Sequence, residues 1–150
     1  MSSIIIERME IKNIMGNESF GHQVVPEIQS PIEDREKYWG RIINVCTLDN
    51  CTLKIIEMKK GFQSSMEFHT QKEETYFIQS GKVKLGLRVG RGKNKSVILN
   101  AGDVYHIPIG LMHMRMALED CVIVEIAKND TDSDSHIVED GNTYIFEESD

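Results

Sequence analysis

The sequence lacks long apolar segments. No run approaches the roughly 20 apolar residues that a membrane-spanning helix needs, and residues 1–8 contain only the short apolar stretch Ile4–Ile6 without a basic cluster. That beginning is unlike a secretory signal peptide. Cysteine and proline are scarce, with three of each in 150 residues. An odd number of cysteines without an export signal favours reduced thiols, so we expect a cytoplasmic protein without a membrane span.

Excess positive charge is also absent. The net charge is −7, and residues 129–150 contain eight acidic side chains but no lysine or arginine. The rest of the chain, with 16 acidic and 17 basic residues, is nearly neutral. This balance argues against a nucleic-acid or anionic-membrane partner held by bulk charge. We interpret residues 129–150 as a solvated acidic C-terminal extension.

A helical apolar period is missing as well, and β-branched segments bounded by Gly, Asn or Asp take its place. Their spacing of about 8 to 12 residues is typical of an all-β sandwich or barrel. We expect an irregular N-terminal arm (1–37), a barrel domain (38–128) and the acidic extension. The predicted strands are Arg41–Thr47, Thr52–Met58, Thr75–Gln79, Val83–Val89, Ser96–Leu99, Val104–Ile107, Met112–Leu118 and Cys121–Ile126.

Two stretches, 61–81 and 102–117, contain most of the residues suited to chemistry. Alternate side chains of a strand share a face, so Glu67 and His69 point the same way. Glu74 can face them from the next strand, and His113 begins another strand. Two imidazoles and two carboxylates can bind Mn²⁺, Fe²⁺, Zn²⁺ or Ni²⁺. The two anionic ligands make the shell roughly neutral and favour the harder metals.

Arg115 lies two residues after His113, so we expect its side chain to face inward at the barrel mouth. A buried guanidinium suits the recognition of a phosphate or carboxylate on a substrate. The alternative is an ion pair between Arg115 and a core carboxylate, either Glu57 or Glu125.

Three residues are candidates for moving a proton. Glu67 can act as a base beside the metal instead of as a ligand. Tyr76 shares the face of Glu74, where it can donate a proton, stack on a sugar or simply fill the barrel. His106 shares the face of Val104 and is expected to contact the ligand.

The three methionines Met112, Met114 and Met116 alternate with His113 and Arg115 along one predicted strand. We therefore expect them to face outward. An outward methionine stripe suits packing against another sheet or a partner subunit, and association with a second copy can cover exposed sheet edges. The sequence thus predicts a homodimer.

The same two stretches resemble the two motifs of the cupins. The first motif is matched by Gly61, His69, Glu74 and Gly81, and the second by Gly102, Pro108, Gly110 and His113. The chain departs from the pattern at Glu67, where cupins have a first histidine, and at Ala117, where they have an asparagine. The resemblance implies a double-stranded β-helix, or jelly-roll barrel, over residues 38–128.

A narrower resemblance concerns the type II mannose-6-phosphate isomerase cupins. It rests on Tyr38-Trp39-Gly40, on the pair Glu67-x-His69 and on the acidic run from Asp134 to Gly141. This resemblance implies a metal-dependent isomerase or epimerase acting on a sugar or sugar phosphate. A non-haem Fe(II) dioxygenase and a non-catalytic small-ligand-binding cupin are the alternatives.

Overall fold

A computed structural model describes residues 28–148. The described chain contains eleven strands and one short 3₁₀ turn, Asp132–Asp134. None of its helical segments is long and apolar enough to cross a membrane. The strands are β1 (Glu33–Lys37), β2 (Gly40–Leu48), β3 (Cys51–Met58), β4 (Met66–Phe68), β5 (Glu73–Ser80), β6 (Lys82–Arg88), β7 (Lys95–Asn100), β8 (Val104–Ile107), β9 (Met112–Ala117), β10 (Cys121–Lys128) and β11 (His136–Glu139).

The strands form two antiparallel sheets. The first sheet has the order β1-β2-β3-β10-β5-β8, and the second has the order β11-β4-β9-β6-β7. Strands far apart in the chain are adjacent in both sheets, since β10 lies between β3 and β5 and β9 lies between β4 and β6, as in a jelly-roll barrel. The all-β prediction is confirmed, and each of the eight predicted strands is present with its ends within two residues of the observed ones.

The core lies between the inner faces of the sheets. It contains Ile56, Ile78, Leu85 and Ile123, each at most 1% exposed. Along β3 and β10 the inward positions change from apolar to charged toward one end, with Lys54 and Glu125 buried there. The apolar part stabilises the barrel by burial, whereas the polar end is free for chemistry.

Two regions predicted to be irregular contain strands. Residues 33–37, assigned to the N-terminal arm, form β1 and pair with residues 40–44 of β2. The sequence Glu-Asp-Arg-Glu-Lys has no apolar alternation because β1 is an exposed edge strand. Residues 136–139 form β11 against β4, so the acidic extension enters the second sheet. Residues 4–14, an alternating apolar stretch of the sequence within the N-terminal arm, lie outside the described residues.

The methionine stripe lies on the outer face as predicted, but at its centre the chain itself covers it, where another sheet or a partner subunit was expected. Met114 is fully buried. A Cβ on Gly86 would lie 2.6 Å from Phe146 Cε2 and 3.0 Å from Met114 Cγ. The aromatic ring of the chain's own C-terminal segment therefore packs over this part of the sheet, and it needs a glycine beneath it.

Gly81, in the turn between β5 and β6, cannot accept a side chain. Its φ is +79°, and a Cβ there would lie 2.1 Å from the carbonyl oxygen of Asp120. Gly102 has a similar φ of +93° but open space around its Cβ position. Gly81→Ala should therefore lower the free energy of unfolding by more than about 3 kcal/mol, and Gly102→Ala by about 1 kcal/mol. Urea unfolding measures both, and equal losses would contradict the steric argument.

Candidate metal centre

Four side chains from both sheets converge at the polar end of the barrel. Glu67 lies on β4, opposite His113 of β9 in the strand register. His69 follows β4 directly, and Glu74 lies on β5 of the other sheet. The structure therefore brings together all four residues that the sequence predicts as metal ligands.

The candidate ligand atoms lie close enough to one another to surround a single cation. Ligand atoms of Glu67, His69 and His113 all lie within 4.8 Å of one another. Glu74 Oε1 lies 2.8 Å from His113 Nε2 and 3.9 Å from His69 Nε2. Glu67 Oε1 lies 4.0 Å from His69 Nε2. A cation placed among them would meet two nitrogens and two carboxylates.

Backbone carbonyls orient both imidazoles. His69 Nδ1 lies 2.9 Å from the carbonyl oxygen of Asp134, and His113 Nδ1 lies 2.9 Å from that of Leu111. Each Nδ1 therefore carries the proton and donates it, which leaves the lone pair on Nε2. His69 Nε2 is buried without a hydrogen-bond partner among the described residues. This arrangement is typical of histidines that bind a metal.

The ionisation states also fit a divalent cation. Burial lowers the pKa of His69 and favours its neutral form. Burial opposes ionisation of Glu67, but the charge of Arg115 and the hydroxyl of Ser135 outweigh it and lower the pKa of Glu67. Burial acts likewise on Glu74, where the close contact with His113 and the charge of Lys72 hold the pKa well below its ordinary value. The two carboxylates together balance a charge of +2.

A network of buried charged residues contacts the carboxylate of Glu74 through Oε2. Lys72 Nζ lies 2.6 Å from Glu74 Oε2, 3.2 Å from Glu125 Oε2 and 3.6 Å from Asp130 Oδ1. Asp130 also pairs with Lys54. Burial and then the charge of Glu74 raise the pKa of Glu125 to about 7. The lysine neutralises the Glu74 oxygen that does not face the imidazoles, so it fixes the orientation of that carboxylate.

A cavity of about 380 Å³ opens beside these groups. Glu67 and His69 line it, together with Arg115 and Trp39. Its wall also includes Arg35 and Lys37 of β1, Glu125 of β10 and Ser135, which precedes β11. The volume and the polar lining suit one small polar molecule.

Arg115 is a buried cation that no described carboxylate neutralises directly. Glu57 pairs with Arg41 and Glu125 pairs with Lys72, so the alternative of an Arg115 ion pair with either one is wrong. The guanidinium donates to the hydroxyl of Tyr76 at 2.8 Å and lies 5.5 Å from the centre of the Trp39 ring. Its Nε has no hydrogen-bond partner within residues 28–148. The remaining donor capacity is available to an anionic ligand in the cavity.

Tyr76 and His106 do not lie where a ligand would meet them. Tyr76 is fully buried and absent from the cavity lining. Its hydroxyl donates to Glu74 Oε1 at 2.9 Å, and burial raises its pKa well above the ordinary value. His106 lies on the outer surface, 3.1 Å from both Glu73 Oε1 and Thr75 Oγ1. The expected inward orientation of His106 is wrong, because Ile107 occupies the inward position of β8.

Sequence reasoning missed a second acidic residue that shapes the site. Asp134, in the segment predicted to be solvated, is only 6% exposed. Its carboxylate contacts the loop after His69, and its carbonyl group contacts the ring of His69. No local pattern marks it, because its partners lie more than 60 residues earlier in the chain. Glu125 and Lys54 were detectable as charged residues at inward positions of apolar strands.

Comparisons with known proteins agree with this architecture. CapF of Staphylococcus aureus, a capsular polysaccharide assembling protein, superposes with a TM-score of 0.67 at 19% identity, over 77% of this chain and 34% of CapF. KdgF of Halomonas sp. gives a TM-score of 0.60 at 15% identity, over 71% of this chain and 98% of KdgF. Oxalate decarboxylase of Bacillus subtilis gives 0.64 at 17% identity, over 78% and 33%.

The chain thus spans about a third of the length of CapF and of oxalate decarboxylase. At such low identities these similarities concern the fold. No curated protein matches at the level of sequence. The family comparison is more direct, since the pattern described as Cupin matches residues 44–146, which include both motif regions and all four candidate ligands. The chain belongs to the cupin family.

Proposed function

We propose that this cupin binds a divalent transition metal through Glu67, His69, Glu74 and His113 and acts on a small anionic sugar or sugar phosphate as an isomerase or epimerase. The observation that carries the proposal is the buried guanidinium of Arg115, which forms no ion pair among the described residues, in the cavity that Glu67 and His69 line. A cation and a metal centre in one cavity are suited to a substrate with an anionic group and adjacent hydroxyl or carbonyl oxygens.

The metal, when bound, polarises a carbonyl or binds adjacent hydroxyl groups. Arg115 binds and orients the anionic group, while Trp39 fixes the guanidinium from the other side. Among Glu67, Tyr76 and His106, only Glu67 lines the cavity. If His69, Glu74 and His113 alone hold the metal, Glu67 is therefore the base that moves the proton. Tyr76 links Arg115 to Glu74 by two hydrogen bonds and so couples the anion site to the metal site.

The metal site is tested by substituting its histidines. His113→Ala should reduce the metal content of purified protein from about one equivalent to nearly none, because it removes a ligand with a correctly oriented lone pair. His106→Ala, on the outer surface, should keep the metal. Elemental analysis after purification measures both. Equal metal content in the two variants, or none in the parent after loading with Mn²⁺, Fe²⁺, Zn²⁺ and Ni²⁺, would refute the site.

The role of Arg115 is tested with the chain's one tryptophan as a probe. Mannose 6-phosphate should quench Trp39 fluorescence in the parent, and Arg115→Met should weaken that binding about 10- to 100-fold, since a charged hydrogen-bond donor is lost. Mannose should bind both proteins equally. Arg91→Met, at the exposed hairpin between β6 and β7, is the matched control.

Activity assays, together with the binding titration, separate the competing functions. Turnover of a panel of sugar phosphates and sugar acids with Mn²⁺ or Zn²⁺, and no O₂ uptake, is the expected result. Strict Fe²⁺ dependence with O₂ uptake would instead assign the protein to the dioxygenases. Tight anion binding without turnover under any metal would leave it a ligand-binding protein.

We also propose that the chain forms a homodimer through the outer face of the first sheet. The strand register aligns one apolar residue from each of five adjacent strands, and the row consists of Ile43, Ile55, Val124, Phe77 and Val104. Phe77 and Val104 are 43% and 64% exposed. Nearby charges are already paired within the chain, as in Arg41 with Glu57 and His106 with Glu73. An identical copy could therefore pack there without opposing like charges.

Light scattering coupled to size-exclusion chromatography measures this association. The parent should have twice the mass of one chain, and Phe77→Glu should have the mass of one, because a carboxylate would be buried without a partner. Val89→Glu, which introduces the same charge at a 75% exposed apolar residue outside the row, should stay dimeric. A monomeric parent, or a dimeric Phe77→Glu variant, would contradict this interface.

A further inference from the structure

The segment Asp134–Glu139, here called the C-terminal clamp, packs along β4 and the loop that follows it. His136 pairs with Phe68 in the strand register, and Ile137 pairs with Glu67. The rings of His136 and Phe68 also stack, with centroids 5.0 Å apart. The clamp therefore contacts consecutive residues that include two of the candidate ligands.

The carboxylate of Asp134 organises the loop between His69 and Glu74. It accepts hydrogen bonds from the backbone N–H groups of Thr70, Gln71 and Lys72 at 2.8–2.9 Å. The hydroxyl of Thr70 donates a further one at 2.6 Å. These bonds hold the pKa of Asp134 far below its ordinary value, led by the bond from the Thr70 side chain. Four donors occupy both oxygens, so Asp134 supports the loop and is not itself a ligand.

The clamp also touches two ligands directly. The carbonyl oxygen of Asp134 accepts the Nδ1 proton of His69 at 2.9 Å, which turns the Nε2 lone pair toward the cation site. The hydroxyl of Ser135 donates to Glu67 Oε2, which leaves Oε1 facing His69. Two adjacent residues thus set the orientation of one imidazole and one carboxylate.

The clamp is anchored at its far end. Arg88 of β6 pairs with Glu139 at 3.0 Å and donates to the hydroxyl of Tyr144 at 2.9 Å. Asn94 donates to the same hydroxyl at 2.7 Å. These contacts attach the end of the clamp and the residues after it to the second sheet, so the orienting groups are held by folded structure on both sides.

We propose that Asp134 and Ser135 are positioning residues of the metal centre, so that the C-terminal acidic segment is a component of the site. The inference rests on the proposed metal binding. Partners in the second layer around a metal commonly change its affinity 10- to 100-fold when they are removed. Here the two residues act through the tautomer of His69, the path of the loop that contains Lys72, and the rotamer of Glu67.

Cobalt(II) provides a direct probe, since its visible absorption bands depend on coordination number and geometry and can be measured without substrate. Asp134→Asn keeps the shape but places an NH₂ group or a weaker acceptor against backbone donors. It should raise the Co²⁺ dissociation constant about 10- to 100-fold and change the band shape. Ser135→Ala should act in the same direction by up to about 10-fold, and Ser135→Thr, which retains a hydroxyl, should restore the parent spectrum.

Two variants of the same turn serve as matched controls. Asp132→Asn removes the same charge from a side chain that is 84% exposed, and Ser133→Ala removes the same hydroxyl from an exposed residue. Both should bind Co²⁺ within about twofold of the parent, because neither contacts a ligand or the loop after His69. Thermal unfolding, followed in parallel, measures stability separately from metal geometry.

The outcomes distinguish a role of Asp134 and Ser135 in positioning the metal ligands from a role in stability alone. Parent affinity and parent spectra in both Asp134→Asn and Ser135→Ala would overturn the positioning role, even if their melting temperatures fall. If Asp134→Asn does not fold, the comparison of Ser135→Ala with Ser135→Thr decides alone. A parent that binds no Co²⁺ refutes the metal centre and the positioning role together. Altered Co²⁺ binding without turnover of any anionic sugar leaves positioning intact and refutes the proposed activity.

Discussion

The site depends on the pairing of β4, a strand of three residues that is hydrogen-bonded on one side to β9 and on the other to β11. So short a strand has little stability of its own, and its position is fixed by its neighbours. The pairing places Glu67 opposite His113 on one side and opposite Ile137 on the other. His69 follows at once, and the chain then turns to Glu74 in the opposite sheet. The distances among the four side chains follow from this one arrangement.

Burial of several charges at one end of a barrel is costly unless they are paired or hydrogen-bonded. Lys72 lies among three carboxylates, and Tyr76 connects Glu74 to Arg115. The charge of Lys72 thereby favours the ionised form of Glu74 near the imidazoles. The guanidinium of Arg115, in contrast, forms no ion pair with a described carboxylate and contacts the hydroxyl of Tyr76 and the ring of Trp39. That difference separates the groups that build the site from the group that is free to bind an anion.

The first sheet uses both of its faces. Its inward positions supply the core and the polar end of the barrel, whereas one row of outward positions is apolar across five strands. Period-two alternation alone would leave the outer row polar in a monomeric protein with a solvated face. In the second sheet, the chain covers its own outer surface at Met114 with Phe146. The two outer faces thus differ, because the chain covers the second sheet itself and leaves the apolar row of the first sheet partly exposed.

Much of the fold could be predicted from the sequence because the central strands have strong local signals. β-Branched segments between turn residues gave eight strands with accurate ends, and the spacing of glycines, histidines and Glu74 indicated the cupin motifs. The edge strand β1 was not predicted because an exposed, charged strand has no apolar period. The strand β11 was not predicted because its partner β4 lies about 70 residues earlier in the chain. The face of His106 was misjudged because a short strand next to Pro108 offers too few residues to fix the register.

The sequence by itself determined the all-β architecture and the identity of the four candidate ligands, since both follow from local spacing. Only the tertiary structure decided how those ligands are oriented. The tautomer of His69, the rotamer of Glu67 and the path of the intervening loop depend on Asp134 and Ser135, which are distant in sequence and adjacent in space. Likewise, Tyr76 became a buried link and Arg115 an available cation through contacts between strands. Such contacts arise from pairing and packing across the barrel, and no local pattern encodes them.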